Sequence, residues 1–230
     1  MFDKNQMVIT LDGPSGTGKG TLCHLLAKHL HWNLLDSGVI YRALAYAALK
    51  REIDFQDTLK LVDLARSLDL KFDSKDNQSA VFLDDEEVSQ LLRSEQCGEN
   101  ASQIAQISEV RLALLKRQRR FAVAPGLVTD GRDMGTVVFP KAILKIFLYA
   151  SVEERASRRH LQLKDKGIHG SLAQVVEELQ KRDTRDTTRL HAPLKAAEDA
   201  VQIDTTGLTI AQVFEIVTNL VVKRGIVPVI

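Results

Sequence analysis

Glycines crowded around a lysine can hold phosphate, and one stretch of this chain has that makeup: Gly13-Pro14-Ser15-Gly16-Thr17-Gly18-Lys19-Gly20-Thr21. Glycine tolerates positive φ and leaves backbone N–H groups free to point inward. At the start of a helix those groups form a nest for phosphate oxygens, and the helix dipole favours the negative charge. Lys19 would bring a mobile cation to the outer phosphates. Ser or Thr usually follows such a lysine and touches magnesium, but here Gly20 does, with Thr21 next. Magnesium held through water, or a role for Thr21 on phosphate, is therefore expected. The spacing does not fit a dinucleotide fingerprint. The bland alternative is a glycine turn that binds nothing.

Moving phosphate between two anions needs cations around both. Arg155, Arg158 and Arg159 fall at i, i+3 and i+4, one helix face. Arg182, Arg185 and Arg189 fall at i, i+3 and i+7, with Asp186 beside them. The segment Lys164 to Gly170 joins the two sets, and its glycines suit hinges. Two arginine faces joined in this way suggest a closing lid. Charge at helical spacing is otherwise a solvated surface, and Arg117, Arg119 and Arg120 read equally well as that. Asp130-Gly131-Arg132-Asp133-Met134-Gly135 follows an apolar run, which would deliver Asp130, Arg132 and Asp133 to the crevice at the strand ends. Ser37, Tyr41 and Arg42 follow another short run and would line the same mouth, with packing as the alternative for Tyr41. The six histidines (24, 29, 31, 160, 169 and 191) show no metal-ligand spacing. No Ser–His–Asp or Cys–His nucleophile is legible.

The elements that must position these groups alternate. Val8–Asp12 reads as a strand, followed by the glycine loop and a helix over 20–30. Asn33–Asp36, Gly126–Asp130, Ala142–Tyr149 and Val201–Asp204 read as further strands, apolar on both parities as in a sheet covered on two faces. Ser151 with Glu154, Ser171 with Gln174 and Thr209 with Gln212 read as capping boxes. After Thr209, Ile210, Val213, Phe214, Val217, Leu220 and Val221 keep helical spacing, so the last helix should pack on the sheet. Between 61 and 102, Leu70–Phe72 and Ala80–Leu83 flank the polar tip Ser74–Gln78, a hairpin signal within an inserted piece.

Composition narrows the class. The 230 residues are 44% hydrophobic with a formal net charge of +1. That suits a globular chain able to bury a core, and argues against disorder or a protein that coats a nucleic acid polymer. Cys23 and Cys97 read as free thiols of a reducing compartment. No targeting pattern opens the chain and no run has the length of a membrane span, so a cytoplasmic protein is expected, with a monomer as the default.

GPSGTGKGT at 13–21, LLDSGVIYR at 34–42, DGRDMGTVVFP at 130–140 and KRDTRDTTR at 181–189 together resemble the bacterial cytidylate kinases, of the nucleoside monophosphate kinase branch of the phosphate-loop enzymes. The resemblance implies an α/β fold of the P-loop NTPase type. Five parallel strands would be flanked by helices, with a lid and an inserted monophosphate-binding subdomain containing a small antiparallel sheet. It implies a core over about 1–36, 112–154 and 190–230, a monophosphate-binding part over about 37–111 and a lid over about 155–189. The implied reaction is transfer of the γ-phosphoryl group of ATP to CMP or dCMP, with Mg2+. Gly13 to Thr21 would hold ATP. Arg42, Arg132 and Arg189 would hold the acceptor phosphate. Ser37, Ser102, Arg111 and Asp133 would surround cytosine, and Arg182 and Asp186 would meet the pentose hydroxyls. Arg155, Arg158 and Arg159 would be the lid arginines. Apart from the resemblance, the place of Asp130 at a strand end near the loop suits it to orient a magnesium water. Cytosine offers an amine donor and a ring-nitrogen acceptor, which a carboxylate and a guanidinium complement. Uracil reverses both, so Asp133 and Arg111 are suitable types for discrimination. The rivals are a related kinase for UMP, AMP or a non-nucleotide acceptor, a phosphate-loop switch or regulatory ATPase, and a binding module without chemistry.

Overall fold

The structure, a computed structural model, describes residues 7–73, 80–165, 167 and 170–227. In chain order the elements are β1 (Val8–Asp12), α1 (Lys19–Leu30), β2 (Asn33–Asp36), α2 (Ser37–Lys50), α3 (Thr58–Ser67), β3 (Leu70–Asp73), β4 (Ala80–Leu83), β5 (Glu86–Glu87), α4 (Ser89–Leu92), α5 (Glu95–Ile104), α6 (Ser108–Arg119), β6 (Leu127–Gly131), a π-type turn (Met134–Val138), β7 (Leu144–Tyr149), α7 (Val152–Asp165), α8 (Leu172–Thr188), β8 (Val201–Asp204) and α9 (Ile210–Lys223). They form two units: residues up to Asp36 with those from Arg119 onward, and Ser37–Gln118.

The first unit is built on a five-stranded sheet of order β2-β6-β1-β7-β8. Every pairing is parallel, with Ile9 beside Val128 on one side and Leu144 on the other. All five strands expected from the sequence are present. Ile9, Leu11, Val128, Ile146 and Leu148 face one side and meet Leu22, Leu26 and Leu30 of α1 and Val213, Val217 and Val221 of α9. This is the amphipathic packing expected of the last helix. The opposite face of the central strands is also buried but polar. Thr10, Asp12, Thr129 and Lys145 point there by strand alternation. The π-type turn lies against this face: a Cβ added at Gly135 would sit 2.8 Å from Thr10 Oγ1.

Two of the three capping boxes form in full, at Ser171 with Gln174 and Thr209 with Gln212. At Ser151 only half forms. Its hydroxyl accepts from the Glu154 N–H at 3.2 Å, but the Glu154 carboxylate is taken by Arg158 at 2.8 Å, and the Ser151 N–H donates to Thr206. A charged partner one helical turn away outcompetes a neutral backbone donor. Helices α7 and α8 pack on each other through Ala156, Leu163, Val175 and Leu179. In the segment joining them, Lys166, Ile168 and His169 lie outside the described residues.

The second unit holds α2 to α5, all but the last residue of α6, and a three-stranded antiparallel sheet, β3-β4-β5. The hairpin read from the sequence is β3 and β4, with Leu70 opposite Leu83 and Phe72 opposite Val81. Its tip, Ser74–Gln78, lies outside the described residues, as do 1–6 and 228–230. The short β5 was not anticipated. Asp84 and Asp85, both at positive φ (50° and 63°), make the turn that leads into it. Cys23 and Cys97 are buried free thiols. Among the described residues no helix is long and apolar enough to cross a membrane.

Leu26 is fully buried in the sheet-facing stripe of α1, whereas Leu59 on α3 is 80% exposed. Leu26→Ala should lower unfolding free energy by about 2–5 kcal/mol in urea titrations, and Leu59→Ala should stay within about 0.5 kcal/mol. Equal effects would contradict this packing.

Candidate active site

The chain leaves β1 at Asp12 and enters α1 at Lys19 through a loop whose glycines are demanded by space and by conformation. Gly13 has φ +149°, and a Cβ there would lie 2.1 Å from the Leu148 carbonyl oxygen of β7. Gly16 has φ +82°, and its Cβ would press on Arg155 at 3.0 Å. Pro14 O accepts from Lys19 Nζ at 2.9 Å and from Thr17 Oγ1 at 3.1 Å. Lys19 is only 8% exposed. Burial lowers its pKa, and the nearby charge of Arg132 lowers it further against the pull of Asp130. Thr21 is exposed, and so is Gly20, whose Cβ would come 3.8 Å from Asp130 Oδ2.

Asp130 stands at the end of β6, beside Asp36 of β2 in register. Burial pushes its carboxyl up, and the charge of Asp36 adds to the shift. Its Oδ1 is buried without a hydrogen-bond partner. Just beyond, Arg132 Nε donates to Asp186 Oδ2 at 2.7 Å, and Arg132 Nη1 donates to the Gly131 carbonyl at 3.1 Å. Burial would raise the Asp186 pKa, but Arg132 and Arg182 outweigh it and hold the carboxyl below its usual range. Asp133 Oδ1 stands 3.6 Å from Arg189 Nη2, both side chains buried, and Arg189 Nε donates to the Ala192 carbonyl at 2.6 Å. The structure thus brings together Lys19, Asp130, Arg132, Asp133, Arg182, Asp186 and Arg189 from three separate sequence motifs.

The arginines of α7 are less open than a solvated lid face would be. Arg155 is buried, and each guanidinium nitrogen has a partner: Nε donates to Ala150 O, Nη1 to Ser15 O at 3.1 Å and Nη2 to Asp183 at 2.7 Å. It straps the glycine loop to α8. Arg158 pairs with Glu154 and donates to the carbonyls of Thr205 and Leu208. Arg159 is half-buried, with Nη1 on Gln162 at 3.2 Å. Arg119 is not a loose surface charge, because it donates to Val137 O and Val138 O, and Arg117 donates to Leu68 O.

Ser37, Tyr41, Arg42, Ser102 and Arg111 belong to the second unit. Ser37, Tyr41 and Arg42 lie in the first two turns of α2, Ser102 on α5 and Arg111 on α6. The Arg111 guanidinium sits over the Tyr41 ring at 5.5 Å and donates to Ala105 O at 3.2 Å. This stacking gives Tyr41 a part beyond filling space. Arg42 donates to Leu92 O at 2.6 Å. Ser102 Oγ is buried without a partner.

Two contributors were not singled out from the sequence. Asp183 supports Arg155, and its signal lay unread within KRDTRDTTR. Asp12 is buried at the end of β1 and accepts from Met134 N–H at 2.8 Å and Gly135 N–H at 2.7 Å. A carboxylate closing a buried strand was its signal.

A parallel sheet whose first strand runs through a glycine loop into a helix, with a buried lysine at the turn, defines a phosphate-loop nucleotide-binding protein. The cytidylate kinase family model matches residues 9–223. Cytidylate kinase of Aeromonas salmonicida (strain A449) is 54% identical over 206 residues, 90% of this chain and 90% of that protein. Those of Nitrosococcus oceani and Pseudomonas fluorescens (strain Pf0-1) are 56% and 54% identical, covering 93% and 95% of this chain and 95% and 96% of theirs. The chain belongs to the cytidylate kinase family.

Removing one partner of the Arg155–Asp183 pair leaves a mostly buried charge without its opposite charge. Asp183→Ala and Arg155→Ala, measured singly and together in urea, should show a coupling of about 1–3 kcal/mol. Strict additivity would mean that the strap carries no weight.

Proposed function

We propose that this chain transfers the γ-phosphoryl group of ATP in line to CMP or dCMP, giving CDP or dCDP. The observation that carries this reading is a buried lysine at the glycine loop beside two acid–arginine pairs, Arg132 with Asp186 and Asp133 with Arg189. A pair of anionic substrates would find cations there that need no new desolvation. Family membership supplies the substrate class.

Gly13 to Thr21 would hold the ATP phosphates, with Lys19 leaving the Pro14 carbonyl for the β- and γ-oxygens. Arg42, Arg132 and Arg189 are assigned to the acceptor phosphate, Ser37, Ser102, Arg111 and Asp133 to cytosine, and Arg182 and Asp186 to the pentose. Tyr41 would hold Arg111 by stacking. Arg158 and Arg159 are assigned to charge on the transferring group, which requires Arg158 to release the Thr205 and Leu208 carbonyls. Arg155 would act by holding the Ser15 carbonyl. The acceptor is already a phosphate oxygen, so no general base is needed, and charge neutralisation with exclusion of water would do most of the work.

Magnesium, entering with ATP, would neutralise charge on the β- and γ-phosphate oxygens. The residues fit it. Asp130 has a buried oxygen without a partner, and its other oxygen would lie 3.8 Å from a Cβ at Gly20, beside the lysine of the loop. Among the described residues no three His, Cys, Asp or Glu side chains gather into a cage, so the phosphates themselves would supply much of the coordination. The same reading gives a cytoplasmic monomer acting on free nucleotides.

The direct test is ADP release from ATP in the presence of each nucleoside monophosphate and in its absence. CMP and dCMP should drive release. ATP consumption that ignores CMP would point to a hydrolytic switch. Lys19→Met should abolish turnover while the chain still folds, and near-normal turnover would reject the loop mechanism. Asp133→Ala should lose most of the preference for CMP over UMP, and wild-type selectivity in that variant would remove Asp133 from the base.

A further inference from the structure

Arg132 and Asp133 stand on a short connection between the end of β6 and the π-type turn. Something must fix that connection if two adjacent side chains are to meet different parts of one nucleotide. Within the turn, Val137 N–H and Val138 N–H both close onto the Asp133 carbonyl, and Phe139 N–H onto that of Met134. Met134 and Gly135 come before this ladder, so their N–H groups have no acceptor within the turn. Both are answered from another strand, by the two oxygens of Asp12 at 2.8 and 2.7 Å. Asp12 acts as an N-cap supplied from 122 residues away. Asp12 is 5% exposed.

We propose that Asp12 is a positioning residue for the acceptor nucleotide: by capping Met134 and Gly135 it sets Arg132 and Asp133 in the orientation that reads CMP. The inference rests on the reading given under Proposed function. Asp12 also immediately precedes Gly13, so the last residue before the ATP loop carries the anchor of the CMP-reading turn. One side chain thereby fixes the spacing between the two within a single sheet. The arrangement has an electrostatic cost. Burial pushes the Asp12 carboxyl up to about 6, with the two N–H donors pulling it back and Asp133 opposing them. Holding a carboxylate there is favourable only while both donors are aimed at it.

Asp12→Asn tests this with little change in shape. Asn keeps one oxygen acceptor, but its amide sets a donor against the other backbone N–H. The variant should unfold cooperatively and bind ATP within about threefold of wild type, while kcat/KM for CMP falls about 10–100-fold. The ratio of CMP to UMP use should fall by about tenfold, and the Met134 and Gly135 amides should exchange with solvent faster while those of Ile9 and Leu11 do not. A purely structural role would lower melting temperature and both affinities together and leave the CMP to UMP ratio unchanged; that result overturns the proposal. Rapid exchange of Met134 and Gly135 in the wild-type protein would also overturn it, with no variant needed. If Asp12→Asn does not fold, Asp12→Glu, which keeps both oxygens but displaces them, should shift the same ratio; an unchanged ratio there counts against the proposal. If the wild-type protein has no preference for CMP, the functional reading fails, and the exchange data on Asp12→Asn still judge the anchor.

Discussion

Positive charge held out of water is the constraint around which the first unit is arranged. Lys19, Arg132, Arg155 and Arg189 are all largely buried, and burying an ion is unfavourable by several kcal/mol unless it is answered. Each is answered. Pro14 O takes Lys19, Asp186 takes Arg132, Asp183 and the Ser15 carbonyl take Arg155, and Asp133 with the Ala192 carbonyl takes Arg189. The partners come from the glycine loop, from α8 with the residues just after it, and from the residues just after β6, so charge balance ties together three segments far apart in sequence. The opposite shifts of Lys19, downward, and Asp130, upward, express the same condition: burial disfavours the charged form of each.

The sheet makes this arrangement possible. Parallel strands end on one edge, so Asp36 of β2 arrives in register with Asp130 of β6, and Asp12 of β1 pairs with the next residue, Gly131. The close approach of Gly13 to the Leu148 carbonyl fixes where the loop begins, and Arg155 fixes where it turns. Acid–arginine pairs within the site then have a further consequence. On the proposed roles, an arginine meeting a phosphate would exchange one anion for another and would not leave water, so selectivity would depend on geometry more than on raw charge.

Much of this was legible in the sequence because it is local. The glycine loop, the five strands, two capping boxes and the apolar stripe of α9 depend on residues within a few positions of one another. What was not legible depends on partners far apart. Glu154 could not be seen to prefer Arg158 over the Ser151 N–H, nor Arg155 to turn toward Ser15 and Asp183, because the choice is made in space. The strand at Glu86–Glu87 was hidden in a run of acids that reads as solvated surface, although Asp84 and Asp85 formed its turn. Asp12 read as the end of a strand, since nothing in its own neighbourhood reveals the amides of Met134 and Gly135.

The central claim is that the loop lysine waits in a cation-rich, dry place for phosphate. It is tested most directly by counting protons as ATP binds without magnesium at pH 8, by calorimetry in buffers of differing ionisation enthalpy. Burial and Arg132 hold Lys19 below its ordinary range in the free protein, so an arriving triphosphate should restore its charge. The wild-type protein should take up a substantial fraction of one proton per ATP, and Lys19→Met should lose that uptake. The same proton count in both proteins would contradict the account.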